Sequence, residues 1–546
     1  MTDRSGMTID RRTLLRAGGL GLGLASSSPL LAQAGERGFT HGVASGEPGA
    51  DSVLLWTRHV GMQDHALTCE VSENDDFAAP AWSGTVSASP ERDWCAKAVA
   101  DGLEPGRWYY YRFISPDGVY SDLGRTRTLP KGPTTRWRMA VFSCSNKGFG
   151  WFNGYAHAAE DGAFDCTLHL GDYLYEYPPG TYPDGEDIVA GRAIAPDAET
   201  VALADYRARY ASYRSDPDLQ RIHQLYPMIA GWDDHESTND SWEGGAQNHQ
   251  PDSEGPWSAR KAAAVRAYRE WMPVSDADYA TYQVGDLATL FRLETRLGAR
   301  SQQFDLGAIR RSASDPDSIM AALTAFRDGE YLDPARTVLG ATQEAWLTEG
   351  LRASTRAGTT WQVLVQQVLM GRLSAPSQLL DGIGNTIAPA FRERLQSAVA
   401  TAQIGLPLNM DAWDGYPAAR ERLLEAAREA DANLVVLAGD THDAWAFDLD
   451  HAGEAAGVEF GGQSITSPGF ERYVPLPPET LARAMVAGNP QLAFARIGAR
   501  GYMAVELTPD RAQCEWRFSD VVKQRSARLT GTHRMLVQAG ANRLET

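Results

Sequence analysis

The stretch that decides the fold is residues 168–177, LHLGDYLYEY. The apolar residues before Gly171 predict a short buried strand, which the glycine ends. The turn that follows carries a carboxylate, Asp172, and a phenol three residues later, Tyr175. A carboxylate bridges two cations well, a phenolate suits ferric iron, and ligands of α/β proteins bind beyond the strand ends. The turn is therefore a candidate metal site, with an ordinary aromatic-rich turn as the alternative.

The same succession of apolar strand and polar turn occurs three more times. Strand-like segments precede Cys144, the pair Asp234 and His235, and the pair Asp440 and His442. Because parallel strands bring their carboxyl ends to one edge of a sheet, we expect these side chains to converge on one crevice. Together with the phenol, their thiol, imidazole and carboxylate groups suit ferric iron beside a divalent cation such as calcium. A half-buried free cysteine and a solvated histidine are the alternative interpretations of Cys144 and His442.

Other polar side chains are candidates for the chemistry itself. His235 stands beside carboxylates and is a candidate general acid or a group that orients a substrate oxygen. Asp234 and Asn239 carry oxygen ligands of the kind that hard cations accept. Arg296 follows a predicted strand and is a candidate phosphate ligand, with a structural salt bridge as the alternative. We therefore predict His235, Asp234 and Arg296 as catalytic residues.

Residues 1–34 have the pattern of an export signal. Arg11 and Arg12 precede a weakly apolar stretch, residues 17–31, and residues 32–34 are an A-x-A cleavage site. The arginine pair indicates a bacterial signal read by the Tat export machinery, and a Sec signal with a chance arginine pair is the alternative. No later apolar run approaches the roughly 20 residues of a membrane span. The sequence therefore predicts a periplasmic or secreted protein.

Two folded domains are predicted after the signal. Residues 35–130 contain short β-branched and aromatic runs separated by turn residues, which indicates an all-β domain. One of these runs, residues 103–113, resembles a strand of fibronectin type III-like sandwiches, in which a tyrosine ties down the strand entry. From residue 135 to residue 546 strands alternate with helices, which predicts an α/β catalytic domain.

Charge and cysteine content limit the possible partners. The 546 residues carry a formal net charge of -19, which argues against a surface that binds nucleic acid. Phosphate substrates are not excluded, because bound cations set the local field. The five cysteines leave at least one unpaired, and Cys69 and Cys95, both in predicted strands of the first domain, are candidates for a disulfide.

These motifs together resemble those of the PhoD-like alkaline phosphatases of the metallophosphatase superfamily. The matching runs are residues 142–145, 169–177, 232–236, 413–417 and 438–442. The turn with Asp172 and Tyr175 is also similar to the purple acid phosphatase motif, in which a tyrosinate binds iron and the aspartate bridges two metals. The resemblance covers nearly the whole chain. It implies an α/β protein in which an N-terminal fibronectin- or Ig-like β-sandwich precedes a two-sheet metallophosphatase core flanked by helices.

The resemblance also implies which residues hold the metals. The residues that would hold iron are Cys144, Asp172, Tyr175 and His442. The residues that would hold calcium or another divalent ion beside the iron are Asp172, Asp234, Asn239 and Asp440. Spacing alone does not decide which of His235 and His442 binds a metal.

The function predicted from these groups is hydrolysis of phosphate esters. The chain has no G-x-S-x-G elbow and no Walker-type loop, which argues against a covalent serine route and against a nucleoside triphosphatase. Metals would instead lower the pKa of a bound water and clamp the phosphate oxygens. The prediction is an exported metal-dependent alkaline phosphatase and phosphodiesterase acting on phosphate mono- or diesters. The alternatives are a phospholipase D-like phosphodiesterase and an exported binding protein whose metals are structural.

Overall fold

The computed structural model describes residues 37–381 and 389–545. The predicted Tat signal, residues 1–34, lies outside these residues. The strands, in chain order, are β1 (Gly38–Gly46), β2 (Val53–Val60), β3 (His65–Ser72), β4 (Trp82–Ala88), β5 (Cys95–Ala100), β6 (Trp108–Ile114), β7 (Gly124–Arg127), β8 (Trp137–Phe142), β9 (Cys166–His169), β10 (Pro227–Ala230), β11 (Ser241–Trp242), β12 (Gly245–Ala246), β13 (Ala280–Val284), β14 (Ala288–Arg292), β15 (Trp361–Val365), β16 (Leu434–Ala438), β17 (Ala444–His451), β18 (Glu454–Gly461), β19 (Leu492–Arg496), β20 (Gly501–Leu507), β21 (Arg511–Ser519), β22 (Leu529–Gln538) and β23 (Leu544–Glu545). The α-helices are α1 (Asn153–Asp161), α2 (Leu203–Arg214), α3 (Pro217–Leu225), α4 (Pro251–Glu254), α5 (Trp257–Trp271), α6 (Leu306–Arg311), α7 (Pro316–Asp328), α8 (Gly340–Arg356), α9 (Gln378–Asp381), α10 (Pro389–Gln403), α11 (Pro417–Glu429) and α12 (Pro478–Gly488).

A ten-stranded sheet carries three of the four predicted strand ends. Its order is β23-β22-β21-β20-β8-β9-β10-β1-β2-β5, and β8, β9, β10 and β1 run parallel within it. Strands β9 and β10 are buried along their whole length, as expected for parallel strands that are covered on both faces. Because β8, β9 and β10 are adjacent and parallel, Cys144, Asp172 and Asp234 follow them at the same edge of the sheet.

The fourth predicted strand end belongs to a second sheet. This seven-stranded sheet has the order β13-β14-β15-β16-β18-β17-β19, with β14, β15, β16 and β18 parallel. Apolar side chains of the two sheets pack in one cluster, in which Val141 and Leu168 meet Val363 and Val435. The four strands therefore lie in two sheets and not at one edge of a single sheet. The two sheets lie face to face, and the turn after β16 approaches the other three from across the core.

Helices cover the outer faces of both sheets. On the ten-stranded sheet, Tyr210 of α2 and Ile222 of α3 pack in a cluster with Phe142 of β8. On the seven-stranded sheet, Leu351 of α8 and Leu424 of α11 belong to a second cluster. The predicted two-sheet α/β core flanked by helices is therefore confirmed. None of the helices in the described ranges is long and apolar enough to cross a membrane.

The N-terminal strands form a sandwich that shares a sheet with the core. Strands β4, β3, β6 and β7 make a four-stranded sheet, whose Leu67 and Tyr111 pack against Val53 and Leu55 of β2. Strands β1, β2 and β5, however, continue the ten-stranded sheet, because β1 pairs in parallel with β10. The backbone N–H of Glu104 donates to the Tyr109 hydroxyl at 2.8 Å, which is the tyrosine tie expected at this strand entry. The boundaries at residues 130 and 135 stay a prediction.

The disulfide considered for Cys69 and Cys95 is absent. Both are free, buried thiols, as are Cys144, Cys166 and Cys514. Cys69 packs in the core of the sandwich, whereas Cys95 packs on the opposite face of the ten-stranded sheet among aromatic side chains. Side chains alternate between the two faces of a strand, and these two cysteines face different cores. They therefore do not form the disulfide that their positions in two nearby strands suggested.

Candidate metal centre and catalytic cavity

Two glycines let the turns of the two sheets come together. At Gly171, φ is +108° and an added Cβ would lie 2.6 Å from the backbone nitrogen of Asp233, so the turns after β9 and β10 touch there. At Gly439, an added Cβ would lie 2.8 Å from the Cβ of Ser143, so the turn after β16 touches the turn after β8. Any side chain at either position would separate these turns, because contacts below 3.0 Å force a shift of the backbone.

Potential ligand atoms from all four turns lie close together. They form three groups whose atoms lie within 4.8 Å of one another: Cys144, Asp172 and His442; Asp172, Asp234 and His235; and Asp233, Asp234 and Asp440. Asp172 and Asp234 each belong to two groups, so each is placed to serve two neighbouring ions. The structure thus brings together Cys144, Asp172, Asp234, His235, Asp440 and His442 as the sequence predicted.

Four of the candidate ligands have a strained backbone conformation. Cys144, Asp172, Asp440 and His442 have φ of 59°, 54°, 63° and 68°, in the left-handed region that non-glycine residues avoid. Such conformations cost of order 1–3 kcal/mol each and persist where the surroundings determine them. Here the Cys144 N–H donates to the carbonyl of Gly171 at 3.1 Å, which ties one strained turn to the next. Strained residues often occur at functional sites, and four of them lie in this cluster.

Tyr175 completes the group around Cys144. Its hydroxyl donates to Oδ2 of Asp172 at 3.2 Å, accepts from Oγ of Ser467 at 2.6 Å and lies 3.1 Å from Nε2 of His442. Nδ1 of His442 lies 2.6 Å from the Pro468 carbonyl, so it carries the proton and leaves Nε2 available as a ligand. Burial raises the pKa of both Tyr175 and Cys144 well above the ordinary values. A phenolate and a thiolate at these positions therefore require a cation.

The electrostatics of the cluster fit bound cations. Burial raises the pKa of Asp172 and of Asp440, and neighbouring carboxylates, Asp234 and Asp233 among them, add to the shift. Within the described residues, Oδ1 of Asp172 and Oδ2 of Asp233 are buried without a hydrogen-bond partner. Buried carboxylate oxygens without donors are costly unless a cation is bound. The donor set and the excess of acidic groups therefore suit one or more metal ions.

His235 is oriented by a carboxylate that the sequence analysis did not assign. Nδ1 of His235 lies 2.7 Å from Oε2 of Glu176. Oε1 of Glu176 also accepts from the Thr238 hydroxyl at 3.0 Å and from the Asn239 backbone N–H at 2.8 Å. Burial by itself would lower the pKa of His235, but the charges of Asp234 and Glu176 raise it well above its ordinary value. Glu176 thus fixes the orientation of the His235 ring, and the only sequence signal for Glu176 was its place after Tyr175.

A second unassigned carboxylate, Glu236, joins two of the turns. It accepts from the backbone N–H groups of Asp172 at 3.1 Å, Tyr173 at 2.6 Å and Asp233 at 2.8 Å. Its side chain is buried, so these three donors replace water around the carboxylate. Glu236 therefore holds the Asp172 turn against the Asp234 turn without entering the cavity.

Asn239 and Arg296 differ in how they meet the site. Asn239 lines the cavity, and its Nδ2 donates to Oε1 of Gln247 at 3.2 Å. Its role as a metal ligand stays a prediction. Arg296 is fully buried, with Nε 2.5 Å from Asp233, Nη1 2.7 Å from Asp411 and Nη2 3.5 Å from Asp440. These contacts favour the structural salt bridge over the phosphate ligand that the sequence left open.

The cluster opens into a cavity of about 290 Å³, which we call the catalytic cavity. Its polar lining consists of Asp172, Asp234, His235, Asn239, Asp240, Asn409, Asp440, Thr441 and His442. Its aromatic lining consists of Tyr177, Tyr182, Phe470 and Tyr473. Polar groups and aromatic rings thus share one opening above the candidate metal ligands.

Comparison with known proteins identifies the family. The profile of the PhoD-like phosphatases matches residues 139–516, and that of the PhoD-like phosphatase N-terminal domain matches residues 24–130. The chain belongs to the PhoD-like phosphatase family. It is 32% identical over 518 residues to alkaline phosphatase D of Bacillus subtilis (strain 168), covering 90% of this chain and 79% of that protein.

A solved PhoD structure has the same architecture. It superposes with a TM-score of 0.75 at 30% identity, covering 94% of this chain and 92% of the PhoD chain. Membership of this family makes the chain a phosphoric ester hydrolase and a metal-dependent one. The family resemblance, the fold class and the enzyme class inferred from the sequence are thereby confirmed.

Proposed function

We propose that the protein is an exported alkaline phosphatase and phosphodiesterase that hydrolyses phosphate mono- and diesters in the catalytic cavity with ferric iron and calcium. The observation that carries this proposal is the position of Asp172. Its carboxylate lies between a group with Cys144 and His442 and a group with Asp234 and His235. A soft and phenolic ligand set on one side and an oxygen-rich set on the other suit two different ions.

The residues divide between the two ions by ligand type. The residues proposed to hold iron are Cys144, Asp172, Tyr175 and His442. The residues proposed to hold calcium are Asp172, Asp234, Asn239 and Asp440. When bound, such ions lower the pKa of water to supply a nucleophile and neutralise the charge of the phosphate.

Side chains of the protein supply the proton for the leaving group and align the carboxylates of the cluster. His235 lines the cavity, and Glu176 occupies its Nδ1, so Nε2 is the nitrogen that holds a proton for the departing alcohol oxygen. Arg296 acts from behind the cluster, where it aligns the carboxylates of Asp233 and Asp440. We propose that Arg296 is a positioning residue and that His235 is the catalytic acid.

Export is part of the proposal. The pattern of residues 1–34, with the Arg11–Arg12 pair, supports delivery by the Tat machinery to the periplasm or the exterior. A fusion of residues 1–34 to a reporter that is active only when exported tests this point. Export should be lost in the Arg11→Lys, Arg12→Lys double variant, and unchanged export in that variant would contradict the Tat route.

The activity is tested on protein purified from its own export route. We expect elemental analysis to find iron and calcium, and we expect release of p-nitrophenol from both p-nitrophenyl phosphate and bis(p-nitrophenyl) phosphate. Asp172→Asn should lose metal and activity together, because one oxygen of the shared carboxylate becomes an amide. Full metal content without turnover of either ester would overturn the proposal. Faster turnover of phosphatidylcholine than of both aryl esters would favour the phospholipase D-like alternative instead.

A further inference from the structure

An aromatic surface leads outward from the proposed catalytic acid. The rings of Tyr182 and His235 are stacked, with centroids 6.4 Å apart and an interplanar angle of 11°. Tyr177 continues this surface, with its ring centroid 5.8 Å from that of Tyr182 and 5.5 Å from that of His235. Phe470 and Tyr473 complete the aromatic lining of the same cavity. A group that leaves the phosphorus beside His235 therefore departs along a wall of rings.

Tyr473 is the most exposed of the rings that line the cavity. Its side chain is 63% exposed, which is unusual for a large aromatic side chain at a cavity mouth. Burying such a ring against a flat ligand is favourable, both through apolar area and through ring geometry. The exposed ring is therefore available for contact with a substrate.

The lining of the cavity disfavours a negative charge on the organic part of a substrate. Among the described residues that line the catalytic cavity, none is Lys or Arg, and Asp240 stands on the wall with the candidate ligands. Bound metals can neutralise the phosphate that they hold, but no side chain of the lining pairs with a second anion. Like charges brought together across an interface disfavour binding.

We propose that the aromatic lining is a subsite for the organic part of the ester, and that it selects flat, uncharged groups over small aliphatic and over anionic ones. This inference rests on the proposed phosphatase function at the same cavity. It assigns Tyr473 as a specificity-determining residue, distinct from the groups that perform the hydrolysis.

The test compares three monoesters whose leaving alcohols are all poor leaving groups. Phosphate release is measured from benzyl phosphate, 4-carboxybenzyl phosphate and ethyl phosphate with the metal-loaded enzyme. We expect the highest kcat/KM for benzyl phosphate. Tyr473→Ala should lower kcat/KM for benzyl phosphate about three- to tenfold and leave ethyl phosphate within about twofold, since one aromatic contact is lost. Tyr473→Phe should keep the preference.

Tyr120→Ala is the matched control, because Tyr120 is a tyrosine of similar exposure, 56%, in the sandwich. It should leave all three rates unchanged. Equal losses on benzyl and ethyl phosphate in Tyr473→Ala, or no preference for benzyl phosphate in the wild type, would overturn the subsite. Failure of the phosphatase proposal looks different, because none of the three esters would then release phosphate.

Discussion

At His235, the charges of two carboxylates oppose the effect of burial on the pKa of the imidazole. Asp234 and Glu176 raise its pKa well above the ordinary value, and the contact with Glu176 at 2.7 Å also orients the ring. A group that must donate a proton at alkaline pH needs such a shift, because an ordinary histidine is deprotonated there. Glu176 thus sets both the orientation of the His235 ring and the pH range in which the proposed acid keeps its proton.

Glu176→Gln tests this pairing. Removing the negative charge lowers the pKa of His235, so activity should decline at a lower pH on the alkaline side of the profile. The loss in kcat should be about tenfold or more for ethyl phosphate and small for p-nitrophenyl phosphate, whose leaving group needs no proton. The measurement is the pH dependence of kcat for both esters. Glu243→Gln, at an exposed glutamate, is the control, and equal losses on both esters with an unchanged profile would contradict the role.

A buried carboxylate remote from the candidate ligands affects stability instead. Burial raises the pKa of Asp414 to about 7, although the backbone N–H of Leu373 donates to its Oδ2 at 3.0 Å. Its folded-state pKa lies above the unfolded value, so between about pH 4 and 7 the folded protein binds more protons than the unfolded chain. This group therefore makes the protein less stable as pH rises across that range.

Asp414→Asn should remove this contribution. We expect the fall in urea midpoint between pH 5 and pH 8 to be smaller in the variant than in the wild type, by an amount equivalent to about 1–3 kcal/mol. Asn keeps an acceptor for the Leu373 N–H, so the fold is preserved. Asp333→Asn, at an exposed aspartate, serves as the control. Parallel pH dependences of wild type and Asp414→Asn would refute the prediction.

At the scale of elements, the site depends on short strands that end in strained turns. Strands β8, β9 and β10 lie side by side, and the turn after β16 meets them from the facing sheet. The close contact at Gly171 and the carboxylate of Glu236 fix the distance between two of these turns. The positions of the candidate ligands thus depend on how the turns pack. An added methyl group at the contact between the turns should therefore disturb these positions.

Gly171→Ala tests that packing. The new Cβ would meet the backbone of Asp233 at 2.6 Å in a left-handed conformation. Gly191→Ala is the matched control, because Gly191 also has a positive φ, +80°, but nothing lies within 4 Å of its Cβ position. We expect Gly171→Ala to lose about 1–3 kcal/mol more unfolding free energy than the control, together with bound metal. Equal unfolding midpoints and metal contents would show that the turns do not depend on this contact.

At the scale of the whole molecule, the sandwich and the core are joined by one continuous sheet. Parallel pairing of β1 with β10 places the N-terminal strands directly beside the strand that precedes Asp234. The Trp56 indole of β2 also donates to the carbonyl of Glu270 at 2.8 Å, at the end of α5. The sandwich thus covers an edge of the catalytic sheet that would otherwise be exposed.

A fragment of residues 135–546 should therefore not fold alone. Without β1 the edge of β10 and the apolar side chains of α5 that face β2 are exposed, which favours aggregation. We expect the fragment to be insoluble or to lack a cooperative unfolding transition, whereas residues 35–546 behave as the control. A soluble fragment that unfolds cooperatively and binds metal would contradict this prediction.

Local sequence was sufficient for the motifs and for the strands that precede them. Alternation of apolar strand and polar turn predicted that Cys144, Asp172, Asp234 and Asp440 follow strand ends, because strand ends and glycine turns are encoded within a few residues. The aromatic run that contains the tyrosine tie of the sandwich was recognisable for the same reason.

Only the tertiary structure decided which sheet each strand joined and which groups support the site. Strand pairing depends on contacts between residues far apart in the chain, so the sequence did not place β16 in a second sheet or β1 beside β10. The partners of Arg296 and the separation of Cys69 from Cys95 are long-range in the same way. Glu176 and Glu236 stood within the motifs, yet their roles arise from donors that the packed turns supply. Charges buried by packing acquire their partners, and hence their function, only when the chain has folded.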